Sequence, residues 1–153
     1  MRPNIGRAIA GGFVGTVAIT MMMYFVSPMM GVKVDIAASL GKMLGGSWGL
    51  GMMMHFINGT IIFPLIYAFL LYRFLPGQNW AKGIYWGLVL WFLTQALVMP
   101  MMGGGFFSAN MGGMKAVIGS LLGHIVYGGL LGWIAGSAVG RGAVQQFPEK
   151  RAA

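Results

Sequence analysis

The sequence predicts an all-α protein, namely a polytopic membrane protein with four transmembrane helices. Hydrophobic residues make up 58% of its 153 residues and charged residues only 8%, whereas a soluble domain carries about 25% charged residues. Four uncharged runs, 8–32, 43–72, 83–114 and 116–140, each exceed the ~20 residues that cross a bilayer core. The chain 1–153 is therefore interpreted as a single membrane domain whose environment is the lipid bilayer.

The first half of the chain is predicted to form two spans with a short helix between them. Helix one should cover about residues 9–30 and helix two about residues 48–71, with a kink at Pro64 because proline interrupts the helical hydrogen bonds. Asp35 is a favourable N-cap, and the apolar residues after it fall on one side. A short helix lying in the membrane interface is therefore expected after Asp35.

The second half is predicted to form the other two spans. Helix three should cover about residues 82–102 and helix four about residues 116–140. Residues 76–79, Pro-Gly-Gln-Asn, predict a tight turn between helices two and three. The glycine-rich segment 103–113 is expected to be an irregular loop, and residues 141–153 a short mobile tail.

Matching motifs in the two halves indicate an internal repeat. A glycine pair with four-residue spacing and the string Pro-Met-Met-Gly recur 72 positions later, and a histidine with a glycine four residues after it recurs 69 positions later. These motifs begin at Gly11 and Gly83, at Pro28 and Pro100, and at His55 and His124. Because each unit holds two spans, the repeats, about 8–73 and 80–140, should be tandem helical hairpins related by a pseudo-twofold axis along the membrane normal.

Glycines at four-residue spacing are predicted to form the helix–helix contacts. Helices in lipid associate where small residues let their backbones approach closely, and the chain has 27 glycines. The series Gly128, Gly132 and Gly136 lies on one face, so helix four should be the most enclosed helix.

The basic residues predict the orientation in the membrane. Seven of the ten fall at the termini or between helices two and three, and three fall on the other side. The seven are Arg2, Arg7, Arg73, Lys82, Arg141, Lys150 and Arg151, and the three are Lys33, Lys42 and Lys115. The positive-inside rule then places both termini in the cytoplasm. Since no Lys/Arg-rich segment is present, a nucleic-acid partner is not expected.

The two histidines are the candidate ligand-binding residues. His55 and His124 lie inside predicted spans, where an ionisable group is by default a functional hypothesis. Both should lie in the outer third of the membrane, near methionines at the span ends. Met30, Met52 and Met102 are the candidate metal-binding sulfurs.

Three interpretations of this cluster remain open. Each imidazole could hydrogen-bond a neighbouring helix in a purely structural subunit. The two histidines could instead ligate one haem b from opposite sides. In the third interpretation, the imidazoles and thioethers bind Cu(I), for which methionine sulfur is a suitable ligand.

The sequence argues against an enzyme. No span contains Asp or Glu, and the two carboxylates, Asp35 and Glu149, are predicted on opposite sides of the membrane, which excludes a paired acid–base site. A non-enzymatic accessory or structural component of a larger membrane complex, respiratory or redox, with other membrane-protein subunits as partners, is therefore the expected function.

The repeated G-x-x-x-G followed by P-M-M-G in helices one and three, with the glycine-flanked histidine of helix two, resembles a family of uncharacterised small four-helix bacterial membrane proteins. The resemblance covers about residues 9–140. It implies a bacterial or archaeal cytoplasmic membrane, and it implies no particular activity.

Overall fold

The computed structural model describes residues 3–136, and these residues form helices and loops without strands. Four of the helices are long and apolar enough to cross a membrane, which confirms the predicted spans. We number the helices α1 (Ile5–Met29), α2 (Ile36–Met43), α3 (Trp48–Leu71), α4 (Asn79–Met101) and α5 (Gly113–Gly136). The predicted tail and the last four residues of the fourth predicted span lie outside the described residues.

The helix boundaries follow local capping signals. The span α3 has the predicted limits, whereas α1 begins four residues earlier than predicted because the Asn4 side chain accepts a hydrogen bond from the Arg7 backbone N–H at 3.1 Å. The short helix α2 forms where predicted, and the Asp35 side chain caps it by accepting from the Ala38 N–H at 2.9 Å.

Each of the three spans with an internal proline contains a π-helical segment. The segments that precede these prolines are Met22–Val26 in α1, Asn58–Ile62 in α3 and Thr94–Val98 in α4, and they end two residues before Pro28, Pro64 and Pro100. A further segment, Tyr67–Leu71, ends α3 and precedes no proline within that helix. A proline ring clashes with the carbonyl four residues earlier, so the residue before each proline donates to the carbonyl five residues earlier. The helix is therefore locally widened before each proline, and the kink at Pro64 stays a prediction.

Glycines bring α5 against both α1 and α4. A Cβ atom on Gly11 would lie 3.0 Å from the Leu131 carbonyl oxygen, and one on Gly83 would overlap the Gly128 carbonyl oxygen. The predicted role of these glycines in packing inside the bundle is confirmed, and α5 lies between α1 and α4.

The two ends of the bundle are packed differently. At the end that holds the turn between α3 and α4, here called the turn end, eight buried residues form a continuous apolar core. This core comprises Ala8, Tyr67, Ala68, Trp86, Leu90, Tyr127, Leu131 and Ala135. At the other end, here called the loop end, α2 packs against α3, and the glycine-rich loop packs against α4 and α5.

Candidate functional site

A cavity of about 340 Å³ occupies the loop-end half of the bundle. All five helices and the glycine-rich loop contribute to its wall, which is mostly apolar. The polar residues of the wall are Thr16, Ser27, His55, Asn58, Thr94, Gln95, Ser108, Ser120, His124 and Tyr127. Small-molecule sites are typically about 300–1,000 Å³ and combine an apolar wall with a few polar groups, so the cavity has the form of a binding site.

The three π-helical segments that precede prolines contribute to the wall of this cavity. Met22 and Met23 of the first segment, Asn58 of the second, and Thr94 and Gln95 of the third all line it. A π-helical turn is wider than an α-helical turn and often occurs at functional sites. The prolines therefore shape the wall as well as the helices.

His55 is oriented by a threonine of α1. Its Nε2 lies 3.0 Å from the Thr20 hydroxyl oxygen, and that hydroxyl lies 2.6 Å from the Thr16 carbonyl oxygen. A carbonyl oxygen can only accept, so the hydroxyl proton is directed to Thr16 and the oxygen accepts from His55. A neutral His55 therefore carries its proton on Nε2, and its Nδ1 is a hydrogen-bond acceptor.

His124 is oriented by its own helix. Its Nδ1 lies 2.8 Å from the Ser120 carbonyl oxygen, so Nδ1 is the donor. In the neutral ring, Nε2 then carries the free lone pair. Among residues 3–136, neither His55 Nδ1 nor His124 Nε2 has a hydrogen-bond partner, and both residues line the cavity.

A buried amide anchors the glycine-rich loop to the cavity wall. The fully buried Gln95 accepts a hydrogen bond from the Ser108 hydroxyl at 2.7 Å. Ser108 and Phe107 both have positive φ angles, 55° and 50°, which non-glycine residues rarely adopt. The loop thus holds a strained backbone where its serine reaches α4, and it closes one side of the cavity.

Another part of the cavity wall is formed by α2, which Asp35 fastens in place. The Asp35 carboxylate accepts from the Tyr24 hydroxyl at 2.9 Å and from the Trp48 indole at 3.1 Å, as well as capping α2. Ile36, Leu40 and Met43 of α2 line the cavity. One carboxylate therefore ties α1, α2 and α3 together above the cavity.

Tyr127 belongs to the apolar core and also lines the cavity. It is 3% exposed, and its hydroxyl donates to the Gly59 carbonyl oxygen at 2.7 Å. A π-helical segment leaves carbonyl groups without their usual helical partners, and Gly59 lies in such a segment. This hydrogen bond joins α5 to α3 at the floor of the cavity.

We expect Tyr127→Phe to lower the free energy of unfolding by about 1 kcal/mol, because it removes one buried hydrogen bond and leaves the ring in place. The measurement is denaturant-induced unfolding in detergent, followed by tryptophan fluorescence. The matched control is Tyr85→Phe, since Tyr85 is 44% exposed on α4. Equal stability of the two variants would contradict the role assigned to Tyr127.

The structure brings together the two predicted histidines but not the three predicted methionines. His55 and His124 line one cavity, whereas Met30, Met52 and Met102 do not. The methionines that do line it are Met22, Met23, Met43, Met99 and Met101. Metal binding by the three predicted methionines stays a prediction. Within residues 3–136, no group of three or more His, Cys, Asp or Glu side chains could jointly hold a metal ion.

Sequence reasoning missed Thr20 altogether. Thr20 lies inside an apolar run of the sequence. Its role in orienting His55 is visible only in the structure, where α1 and α3 bring the two side chains within hydrogen-bond distance. Its signal in the sequence is its position four residues after Thr16, which puts both hydroxyls on one helix face.

The comparisons with known proteins give a family but no activity. A family model described as a family of unknown function, DUF6789, matches residues 3–145. Neither a curated protein nor a solved structure matches the chain. The match covers nearly the whole chain, so the protein belongs to the family of unknown function DUF6789.

Proposed function

We propose that the protein is a non-enzymatic integral membrane subunit whose cavity holds a ligand with a largely apolar body. One observation carries this proposal: His55 and His124, which come from different halves of the chain, line the same cavity. Ionisable residues within spans are costly to bury and commonly mark a function. A subunit that served only for packing would have no need of a hollow large enough for an organic molecule.

We assign the protein an accessory role in a larger membrane assembly of the respiratory or redox type. Among residues 3–136, Asp35 is the one carboxylate, and it is engaged above the cavity rather than beside either histidine. The imidazoles therefore lack an acid–base partner, which supports binding over turnover. Partner subunits would use the bound ligand.

The internal repeat and the orientation belong to the same proposal. The π-helical segments of α1 and α4 lie 72 positions apart, as do Pro28 and Pro100. This supports two hairpins, about 8–73 and 80–140, related by a pseudo-twofold axis along the membrane normal. Both termini would lie on the cytoplasmic side of a bacterial or archaeal membrane, with the cavity in the outer half.

Haem b, ligated by both histidines, fits this arrangement poorly. A bis-histidine haem needs one free ring nitrogen from each residue on opposite faces of the porphyrin. The free nitrogen of His55 is Nδ1, since Nε2 donates to Thr20. Because Nδ1 lies next to the Cβ atom, a porphyrin bound there would meet the backbone of α3.

Cu(I) binding is the second candidate function, and a specific observation favours it. The thioethers of Met22 and Met99 line the cavity together with both imidazoles, and Cu(I) prefers such soft sulfur and imidazole ligands. The size of the cavity favours an organic ligand over a bare ion, so we rank copper second.

A cavity-filling substitution tests the proposed function. A Cβ atom on Gly119 would lie 3.9 Å from its nearest neighbour, the Ser27 hydroxyl oxygen, and Gly119 lines the cavity. Gly119→Leu should therefore fold normally and fill the cavity. We expect native mass spectrometry of the purified protein to show a bound small molecule at least about tenfold less abundant in this variant.

The matched control is Gly129→Leu, in the same helix and outside the cavity lining. A Cβ atom there would lie 3.7 Å from Ile84 Cγ1, an ordinary contact, and both variants gain equally in helix propensity. The same samples give a reduced-minus-oxidised visible spectrum and the copper and iron contents. If the protein contains stoichiometric haem or copper that is lost when His55 and His124 are replaced, that group and not an organic molecule is the ligand. If the bound small molecule is equally abundant in the wild type, Gly119→Leu and Gly129→Leu, the proposal is overturned.

A further inference from the structure

We infer that the ligand of the cavity is a quinol, that is, a lipid-soluble aromatic ring with two hydroxyl groups, and that the site favours the quinol over its oxidised quinone. This inference rests on the proposed function, since it names the ligand class of the same cavity. It follows from which nitrogen of each imidazole is free.

The two free nitrogens are both hydrogen-bond acceptors. His55 Nε2 donates to Thr20, and His124 Nδ1 donates to the Ser120 carbonyl oxygen. The remaining nitrogens, one on α3 and one on α5, present lone pairs and no proton. A ligand that satisfies both must therefore supply two donors.

A hydroxyl group is the donor that suits an apolar wall. An ammonium or guanidinium group would need a compensating carboxylate, and no carboxylate among residues 3–136 lines the cavity. Two hydroxyls on an apolar ring supply two neutral O–H donors at separate positions, which matches acceptors on separate helices. A quinone instead presents two acceptor oxygens, so each oxygen would face the lone pair of an imidazole nitrogen without a proton between them.

The tautomers that create this preference are held by the protein. Inverting His55 would break its hydrogen bond to Thr20, whose own proton is committed to the Thr16 carbonyl. Inverting His124 would place its unprotonated Nδ1 against the Ser120 carbonyl oxygen. A quinone oxygen set against either imidazole thus requires the loss of an existing hydrogen bond, and a quinol hydroxyl set there does not.

The packing of the helices gives such a ligand a route from the bilayer. Within residues 3–136, α3 and α4 contact each other mainly toward the turn end, where the Phe63 and Trp86 rings lie 6.4 Å apart. Toward the loop end both helices line the cavity, and they make little direct contact with each other. The tail of a quinol could pass between them into the lipid while its ring lies between the histidines.

The experiment compares a decyl-substituted benzoquinol with its benzoquinone. The radiolabelled probes are equilibrated anaerobically with the full chain in nanodiscs, with protein-free nanodiscs measuring partition into lipid. We expect the quinol to bind at least about tenfold more tightly, which corresponds to two hydrogen bonds of ordinary strength. The preference should fall to within about twofold in His55→Leu/His124→Leu.

A second variant keeps both histidines. Thr20→Val preserves the shape of the side chain and removes the hydroxyl that fixes His55, so the quinol preference should fall severalfold while total probe binding is retained. Folding of each variant is checked by circular dichroism. Retention of the full preference in Thr20→Val would overturn the assigned role of Thr20 in positioning His55.

Two further probes separate failure of this inference from failure of the proposed function. Decylbenzene has no hydroxyl, and decyl alcohol has one. If decylbenzene binds and Gly119→Leu excludes it, the cavity is a binding site. In that case, equal affinity for the quinol and the quinone would overturn the quinol inference and leave the proposed function standing. Binding of decyl alcohol as tight as that of the quinol would have the same consequence. If no probe binds above the lipid background, both proposals fail.

Discussion

Replacing Gly128 by leucine is expected to prevent stable assembly of the bundle. A Cβ atom on Gly128 would overlap the Gly83 carbonyl oxygen and lie 3.1 Å from the Gly87 Cα atom. Both neighbours are backbone, so they cannot rotate away as a side chain could. Overpacking against backbone costs about 3 kcal/mol or more, and in lipid the contact between α4 and α5 depends on this close approach.

The measurement is the fraction of folded protein as sodium dodecyl sulfate is added to mild-detergent micelles, followed by circular dichroism and tryptophan fluorescence. Gly129→Leu is the control, because it places the same side chain one position along the same helix in ordinary contact with Ile84. We expect Gly129→Leu to unfold with the wild type and Gly128→Leu to unfold at a much lower detergent fraction. Coincident curves for the two variants would show that α4 and α5 do not pack as described.

Replacing Asp35 by alanine is expected to loosen the cover of the cavity while the four spans stay folded. The substitution removes the N-cap of α2 and the acceptor for the Tyr24 hydroxyl and the Trp48 indole. Loss of an N-cap costs about 1 kcal/mol, and each further lost hydrogen bond about 0.5–1.5 kcal/mol. A combined loss of about 2 kcal/mol would raise the opening equilibrium of α2 roughly thirtyfold.

Hydrogen exchange of the backbone amides of residues 36–43 in nanodiscs measures this opening directly. Asp35→Asn is the informative control, because its carbonyl oxygen can still accept from the Ala38 N–H while it loses the second acceptor oxygen. Its exchange rate should lie between those of the wild type and Asp35→Ala. If exchange in α2 is the same in all three proteins, Asp35 does not fasten the cover.

The predicted methionines show the limit of an argument from depth alone. The sequence places Met30 and Met102 near the histidines because both stand at the ends of their spans. In the structure they lie just past the last residues of α1 and α4, and neither lines the cavity. Successive residues of a helix are turned by about 100°, so Met101 lines the cavity and Met102 does not. Metal binding by the predicted methionines stays a prediction.

Both predicted histidines line one cavity, but the free nitrogen of each ring was not predictable from the sequence. Depth along two spans follows from counting residues at ~1.5 Å each, so an approximate shared level for His55 and His124 could be derived. Which ring nitrogen is free depends on contacts such as Thr20 with His55 at 3.0 Å. Such a contact requires the rotation and separation of two helices to within about an ångström, and no residue pattern specifies that.

It follows from the amino-acid sequence alone that the chain has four helices long and apolar enough to cross a membrane, that a capped short helix follows the first, and that glycines join the helices. Each of these properties depends on composition or on one residue. A span requires the transfer of ~20 apolar residues into lipid, the short helix begins at the side chain of its N-cap, and a glycine contact requires only the absence of a Cβ atom. The three-dimensional packing was needed to see that the turn end holds a continuous apolar core, that the loop end holds a cavity, and which side chains line this cavity. That outcome depends on proline-linked π-helical segments and on helix separation, because small local rotations move side chains between the lipid and the cavity.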